Sequence, residues 1–326
     1  MKRLDHYWYS VNAVSILLLP LSWLFCLISW LRRLAYNFQL KSSRKLPVPV
    51  IVVGNITVGG TGKTPLVIWL TDYLREQGFS PGIISRGYGG KATHWPLQVT
   101  ADSDPVLVGD EPVMLARRCG CPIWVGPDRP VTADALLNNT SCDILISDDG
   151  LQHYAMARDI EIAVIDGARG LGNGFCLPAG PLRERRGRLD TVDLVVANGD
   201  SELTDHHMTL AVGELINLAD QLHLPAEHFS GQRVHGMAGI GNPQRFFNTL
   251  RGLGMSVEEH FFPDHYRFCA ADITPDDTLP VIITEKDAVK CTHFSQQRHW
   301  YLEVSAKLPE GFIQQLDKQI RELRNG

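Results

Sequence analysis

The sequence has no excess of positive charge, and this absence limits its possible partners. Its 326 residues include 31 lysines and arginines against 36 aspartates and glutamates, a formal net charge of −5. A protein that binds nucleic acid through the phosphate backbone needs a basic surface. We therefore expect no nucleic-acid partner, whereas a single anionic substrate held by local arginines is compatible with this composition.

Cysteine is scarce, and internal repeats and low-complexity segments are absent. Of the seven cysteines, Cys119 and Cys121 are one residue apart, and no second pair completes a zinc-binding pattern. We expect free thiols in a reducing cytosol. With 44% hydrophobic and 21% charged residues, the composition is that of a globular protein, and the length is sufficient for two domains.

Charged residues are missing from a stretch near the N-terminus. Between His6 and Leu31 there is no aspartate, glutamate, lysine or arginine, and the segment VNAVSILLLPLSWLFCLISWL has 21 residues. About 20 apolar residues span the hydrocarbon core of a bilayer. Aromatic residues precede the segment and basic residues follow it: Tyr7, Trp8 and Tyr9, then Arg32, Arg33, Lys41, Arg44 and Lys45. This order predicts a membrane-anchoring helix and basic linker over residues 1–45, with the following chain on the cytoplasmic side.

Two other interpretations of this segment compete with a spanning helix. A cleaved signal peptide is disfavoured, because no small-x-small cleavage site follows and the apolar run is too long. A tilted helix, or one lying shallow in the membrane, stays open because Asn12, Pro20 and four serines lower the hydrophobicity.

The remaining chain alternates between buried-strand and helix patterns. Apolar, β-branched runs that end in glycine or acidic residues recur, with helical stretches between them: LPVPVIVVGN, GIIS, CPIWVG, CDILISDD, IEIAVID and DLVVAN. This alternation predicts a parallel sheet covered on both faces. The pattern weakens near residues 199–208 and 220–232 and then resumes. We therefore predict one α/β domain over residues 46–228 and a smaller α/β domain over residues 229–326.

A glycine-rich segment follows the first predicted strand and resembles a phosphate-binding loop. In GNITVGGTGKTP, the pattern G-x-x-x-x-G-K-[ST] fails at its first position, which is Thr57, but GGTGKT matches the compressed G-G-x-G-K-[ST] form. Such a loop binds ATP phosphates through its backbone N–H groups and the following helix N-terminus. The predicted nucleotide-binding residues are Thr57, Val58, Gly59, Gly60, Thr61, Gly62, Lys63 and Thr64. The first domain is therefore predicted to be P-loop NTPase-like, although a strand–turn–helix without a ligand is the alternative.

Acidic residues end or follow other predicted elements. Asp148 and Asp149 end the strand of ILISDDGLQHY, where ligands bind in open α/β sheets, and such an aspartate commonly serves the Mg²⁺ of the nucleotide. Asp110 and Glu111 precede an apolar helix, where helix capping is an equally good explanation. His265, in FPDHYRF, is more often a structural residue than a catalytic one when considered alone.

Together these motifs resemble one family, the tetraacyldisaccharide 4'-kinases. The resemblance covers most of the chain and depends on the order and spacing of VGNITVGGTGKTP, SRGYGG, GDEP, GPDR, ISDDGLQHY, LPAGPLRE, FPDHY and ITEKDAV. It implies ATP-dependent phosphorylation of the 4'-hydroxyl of a tetraacylated glucosamine disaccharide 1-phosphate, a lipid A precursor, at the inner membrane. The extra lysine common in the compressed loop is replaced here by Val58.

The resemblance also implies a role for individual residues. Lys63 and Thr64 would hold the ATP phosphates and Mg²⁺, and Asp148, Asp149 and Glu111 are the other predicted metal residues. Asp110 would be the catalytic aspartate, supported by His265. Lys63 and Arg183 complete the predicted catalytic set, and Arg129, Gln152 and His153 occupy family motif positions lining the cleft.

Other functions fit parts of the same pattern. A membrane-attached P-loop NTPase could act as a switch or delivery factor, a nucleotide-binding membrane adaptor would carry out no chemistry, and a related kinase could phosphorylate another lipid-linked sugar. The oligomeric state and the residues that contact adenine are not determined by the sequence.

Overall fold

The computed structural model describes residues 4–325, which form strands and helices in close alternation. The strands are β1 Val50–Gly54, β2 Pro81–Ser85, β3 Leu97–Val99, β4 Ile123–Val125, β5 Ile144–Asp148, β6 Ile160–Asp166, β7 Leu194–Asn198, β8 His207–Asn217, β9 His223–Leu224, β10 Arg233–Ala238, β11 Ser256–Phe261, β12 Val281–Thr284 and β13 His299–Lys307. The helices are α1 Ala13–Leu17, α2 Leu19–Asn37, α3 Lys63–Glu76, α4 Pro105–Val108, α5 Asp110–Cys119, α6 Arg129–Asn139, α7 Pro243–Gly252, α8 Glu285–Ala288 and α9 Glu310–Asn325.

These strands join one sheet in the order β11-β10-β12-β13-β8-β7-β6-β1-β5-β2-β4-β3, with β9 beside β8. Most neighbours are parallel, and the antiparallel pairs are β3 with β4, β9 with β8, and β13 with β8. The prediction of an α/β fold dominated by a parallel sheet is confirmed.

The predicted apolar runs became the central strands of the first half of the sheet. Every residue of β1 and β5 is buried, as expected for parallel strands covered on both faces. In contrast, the sequence pattern did not indicate β8, because only part of this 11-residue strand is buried. Yet β8 pairs with β7 on one side and β13 on the other, so it makes the two halves of the chain one sheet.

The C-terminal helix returns to the first half of the sheet. Phe312, Leu316 and Ile320 are buried on one face of α9, at a spacing of four residues. They share a hydrophobic core with α3, and the Tyr73 hydroxyl of α3 donates a hydrogen bond to the Asp317 carboxylate of α9. The predicted division of the chain at residue 228 stays a prediction.

The apolar N-terminal segment does not form the predicted membrane helix. It is divided at Leu18 into α1, which Asn12 caps, and α2, which includes Arg32 and Arg33. Within residues 4–325, no helix combines the length and the apolar character needed to cross a bilayer. The N-terminal membrane helix is therefore not supported, because the chain interrupts the apolar run and extends its longer helix into charged sequence.

α2 packs along a narrow stripe against the segment between β6 and β7. Ser22 and Cys26 are buried, and the Ser22 hydroxyl donates a hydrogen bond to the Cys176 carbonyl (2.8 Å). The other faces expose large apolar side chains, including Trp23, Leu27 and Trp30. The helix is therefore attached to the protein mainly by small residues, with Phe25 partly buried beside them, and leaves most of its large side chains uncovered.

We expect replacement of Phe312 by alanine to lower the free energy of unfolding by about 3–5 kcal/mol, because it empties a fully buried aromatic site. Urea unfolding followed by circular dichroism measures this change. Phe38→Ala is the matched control, since the Phe38 side chain is 71% exposed and its loss should change the free energy by less than about 0.5 kcal/mol. Equal effects of the two substitutions would contradict the packing of α9.

Candidate active site

The glycine-rich segment forms a compact loop between β1 and α3. Gly59 and Gly62 adopt φ of 107° and 95°, a region that favours glycine. A Cβ atom at Gly62 would lie 2.3 Å from Asn198 Nδ2, so this position also excludes larger residues on steric grounds. α3 begins at Lys63, directly after the loop, and its N-terminus supplies partial positive charge. The strand–loop–helix context that the motif requires is present.

Residues from neighbouring strand ends hold the loop in place. Asn198, at the end of β7, donates a hydrogen bond to the Thr61 carbonyl (3.2 Å), and the Arg169 guanidinium donates to the Gly60 carbonyl. Arg169 in turn pairs with the buried carboxylate of Asp166, the last residue of β6, and donates to the Gly241 carbonyl (3.3 Å). The loop is therefore supported from both halves of the chain.

Asp149 lies between two cations at the end of β5. Lys63 Nζ is 3.5 Å from its carboxylate, and Arg183 donates to both of its oxygens at 3.0 Å. Burial alone would raise the pKa of Asp149, but Lys63 and Arg183 outweigh it and hold the pKa below its ordinary value. Three predicted site residues are thus in direct contact.

The neighbouring Asp148 is buried and only partly satisfied. One carboxylate oxygen accepts a hydrogen bond from the Ser85 hydroxyl (3.1 Å), and Oδ1 has no hydrogen-bond partner among the described residues. Burial, with the charges of Glu111 and Asp149, raises the pKa of Asp148 to about 6. Arg129 donates to the Asp148 carbonyl, and burial lowers the pKa of this arginine to about 10. A buried carboxylate oxygen that accepts no hydrogen bond is suited to bind a cation.

A second acidic centre combines residues from both halves of the chain. Asp110 begins α5 and is buried, and His265 Nδ1 lies 3.1 Å from both of its carboxylate oxygens. These residues are 155 positions apart in the sequence. His265 has a φ of 58°, unusual for a non-glycine residue, and the ring of Tyr88 lies 5.1 Å from the His265 ring. The structure thus brings together two residues that the sequence analysis predicted as a pair.

Two lysines complete this centre. Lys290 Nζ is 3.7 Å from the Asp110 carboxylate, and Lys286 Nζ contacts Glu111 (2.9 Å) and Asp264 (3.2 Å). Burial opposes the ionisation of Asp110, but the hydrogen bond with His265 and the two lysine charges lower its pKa to about 2. The hydrogen bond with Asp110 raises the pKa of His265 above its ordinary value, although burial opposes this. Asp110 is therefore a carboxylate at neutral pH, and its histidine partner readily carries a proton.

Most of the other predicted residues border these two centres. Thr57 and Val58 begin the loop, and the Val58 N–H donates to the Pro181 carbonyl (2.8 Å). Gln152 donates to the Asn55 carbonyl (3.1 Å) and to Glu184 (2.9 Å). Burial lowers the pKa of His153 to about 4, so this histidine is neutral. Glu111 is paired with Lys286, and its predicted role as a metal ligand stays a prediction.

A cavity of about 200 Å³ separates α2 from the arginine-rich segment that follows Pro181. Its walls combine apolar and charged side chains, with more arginines than acids: Cys26, Trp30, Arg33, Arg183, Glu184, Arg185 and Arg188. Since Arg183 also contacts Asp149, the cavity adjoins the loop region. It could therefore hold an anionic, partly apolar ligand next to the phosphate-binding loop.

The sequence analysis missed several residues of the site. Asp166 and Asn198 end predicted strands, and the rule that ligands bind at the carboxyl ends of parallel strands could have identified both. Lys286 lies in the ITEKDAV motif and was not assigned a role. No signal in the sequence indicated Arg169 or Lys290, because their contacts depend on distant parts of the chain.

The fold and the loop define a P-loop nucleotide-binding α/β protein whose second acidic centre lies beside the loop. The sequence model of one protein family, described as tetraacyldisaccharide-1-P 4'-kinase, matches residues 14–321. The chain belongs to the tetraacyldisaccharide-1-P 4'-kinase family, as the resemblance in the sequence predicted.

Relatives and a solved structure agree with this assignment. The tetraacyldisaccharide 4'-kinase of Nitrosococcus oceani is 53% identical over 306 residues, covering 94% of this chain and 90% of the relative. That of Methylobacillus flagellatus is 49% identical over 323 residues, covering 98% and 96%. A crystal structure of LpxK from Aquifex aeolicus, described as an "apo" form in complex with ATP, superposes with a TM-score of 0.82 at 30% identity and covers 95% of this chain and 99% of that one.

We expect Asp110→Asn to lower the pKa of His265, because the substitution removes the carboxylate that stabilises the imidazolium. Since the folded-state pKa lies above the unfolded value of 6.5, the pair adds stability below pH 6.5, and this stability is lost as pH rises through the raised pKa. NMR titration of the histidine ring protons measures the shift. His228, which packs against Phe229 instead, is the internal reference, and an unchanged His265 titration would show that the pair does not interact in solution.

Proposed function

We propose that this protein transfers the γ-phosphoryl group of ATP to the 4'-hydroxyl of a tetraacylated glucosamine disaccharide 1-phosphate. The observation that carries the proposal is the Asp110–His265 pair near the glycine-rich loop. A Cβ atom at Gly241 would lie 2.9 Å from the Gly60 nitrogen and 3.9 Å from the carboxylate of Asp264, the neighbour of His265. A nucleotide switch needs the loop, but it does not need a buried acid–base pair assembled from distant segments. The relatives reported above are described as kinases, which also disfavours the switch or delivery factor.

The loop and its neighbours would bind the triphosphate. The backbone N–H groups of residues 59–64 and the α3 N-terminus suit phosphate oxygens, and Lys63 would leave Asp149 to reach the β- and γ-phosphates. Arg183 would keep Asp149 in position after that exchange, since it contacts both carboxylate oxygens. The ion pair between Lys63 and Asp149, at 3.5 Å, thus holds the lysine side chain next to the loop in which the phosphates would bind.

The carboxylates at the end of β5 fit a magnesium ion. Thr64, Asp148 and Asp149 would hold it, with Glu111 as a further candidate, and oxygen donors are what Mg²⁺ prefers. The fit depends on Asp148 Oδ1, a buried oxygen without a donor. Mg²⁺, when bound, would neutralise charge on the phosphate oxygens.

Asp110 would orient the sugar hydroxyl and accept its proton. A new bond joins the 4'-oxygen to the γ-phosphorus, the bond from that phosphorus to the β,γ-bridging oxygen breaks, and ADP leaves. With a pKa of about 2, Asp110 is a weak base and would take the proton late, when the hydroxyl has become strongly acidic. Neutral His265 could then receive the proton from Asp110.

The acceptor would approach from the cavity beside α2. Its arginines suit a phosphate group, and the exposed apolar side chains of α2 suit acyl chains and a membrane surface. We infer that the protein attaches to the cytoplasmic face of the inner membrane through this helix, lying in the interface. Acyl chains are costly to withdraw from a bilayer, about 0.8 kcal/mol for each CH₂, so the kinase must reach the surface where its substrate lies.

Lys63→Ala and Asp110→Ala should each abolish phosphoryl transfer, because one removes the phosphate-binding cation and the other removes the proton acceptor. Transfer of labelled phosphate from γ-labelled ATP to the lipid acceptor measures this. Lys318→Ala, on α9, is the control and should keep full activity. Asp110→Ala should still bind ATP, and wild-type turnover by this variant would exclude Asp110 from the reaction.

Loss of exposed leucines from α2 should weaken membrane binding. Leu24 and Leu27 are about half exposed, so Leu24→Ser with Leu27→Ser should reduce binding by more than tenfold. At about 25 cal/mol for each Å² of apolar surface buried in lipid, the loss of about 60 Å² already corresponds to a factor of ten. Co-sedimentation with anionic vesicles measures this. Leu222→Ser is matched in exposure (52%) and lies away from the helix, so equal losses in both proteins would refute α2 as the attachment surface.

A further inference from the structure

The edge of the sheet in the second half carries a cluster of metal-ligand side chains. His235 lies on β10, and Glu258 and His260 lie on β11, its parallel neighbour. His235 pairs with Glu258 in register, and His260 is two residues further along the strand, so both β11 side chains project to the same face. One ligand atom from each of the three residues lies within 4.8 Å of the other two.

Asp277 determines which nitrogen of His235 is available. Its carboxylate lies 3.0 Å from His235 Nε2, which therefore carries the proton. The other nitrogen, Nδ1, then holds a lone pair that accepts a hydrogen bond from His260 Nε2 at 2.9 Å, and the Glu258 carboxylate lies 3.5 Å from the same nitrogen. A carboxylate that orients a histidine in this way is the usual partner of a metal-binding imidazole.

The contact between the two imidazoles indicates a place for a cation. Because His235 Nδ1 holds a lone pair, the contact with His260 needs a proton on His260 Nε2. A metal ion that replaced this proton would be bound by both nitrogens.

We propose that His235, Glu258 and His260 bind one divalent cation of the zinc class. Two imidazole nitrogens and one carboxylate oxygen form a ligand set that suits zinc, with a water molecule in the fourth position. Two arginines oppose the cation: Arg233 contacts Glu258, and Arg298 lies 3.8 Å from Asp277. Arg233 has a side chain that is 67% exposed, so it can move into solvent when Glu258 binds metal.

The ion would stabilise the segment that carries His265. His260 is joined to His265 by residues 261–264, and Asp277 lies in the loop before β12. A metal at this point would tie β11 to β10 and to that loop, while lying outside the phosphoryl-transfer centre. Metal binding itself does not depend on the proposed function, so it can be tested without a kinase assay.

The test uses the full chain, freed of metal with a chelator and titrated with zinc chloride against a chromophoric zinc indicator. We expect one zinc ion per chain in the wild type and loss of this equivalent in His260→Ala. Asp277→Asn should weaken binding by 10- to 100-fold, because it removes only the orienting carboxylate. His223→Ala is the matched control, since the exposed His223 contacts Glu214 (2.7 Å) and belongs to no such cluster.

A second measurement separates metal binding from misfolding. Zinc should raise the Tm of the wild type and of His223→Ala, because a ligand that binds only the folded state stabilises it. His260→Gln keeps a polar side chain at this position and should melt near the wild-type temperature without zinc, but should not respond to the ion. Absence of a zinc equivalent in the wild type, or its persistence in His260→Ala through binding elsewhere, would overturn the proposal.

Discussion

The contact between Asp110 and His265 depends on the whole architecture. Asp110 begins a helix of the first half of the chain, and His265 follows the outermost strand of the second half. They meet because β8 and β13 continue the sheet from one half into the other. Arg169 reinforces the junction by contacting Gly60 and Gly241. A change in the angle between the halves would move His265 relative to Asp110, so the continuity of the sheet sets the geometry of this contact.

Charge at the site is distributed so that neighbouring carboxylates differ in ionisation. Asp149 is held ionised by Lys63 and Arg183, and Asp110 by His265 and two lysines. Asp148, buried between other acids, has a raised pKa and an oxygen without a donor. Burial and the charges of the neighbouring side chains therefore set a different ionisation for each of the three carboxylates.

Much of the first half of the fold could be predicted from sequence, because buried parallel strands are continuous apolar runs. β1, β5 and the glycine-rich loop were identified in this way. β8 could not be, since its partly exposed residues have no clear period. The spanning interpretation of the N-terminal segment is not supported, for a related reason. The apolar composition suggested a spanning helix, but composition does not show that Leu18 divides the segment or that Ser22 and Cys26 pack on the protein.

By itself, the sequence determined the phosphate-binding loop, because the glycines and Lys63-Thr64 act through local backbone geometry that neighbouring residues specify. It also determined which residue types could carry out the chemistry. Only the tertiary structure decided which of them meet. The proximity of His265 to Asp110, of Arg169 to the loop and of His235 to His260 comes from strand pairing between distant segments. Such pairing depends on the packing of the whole sheet, which no short pattern encodes.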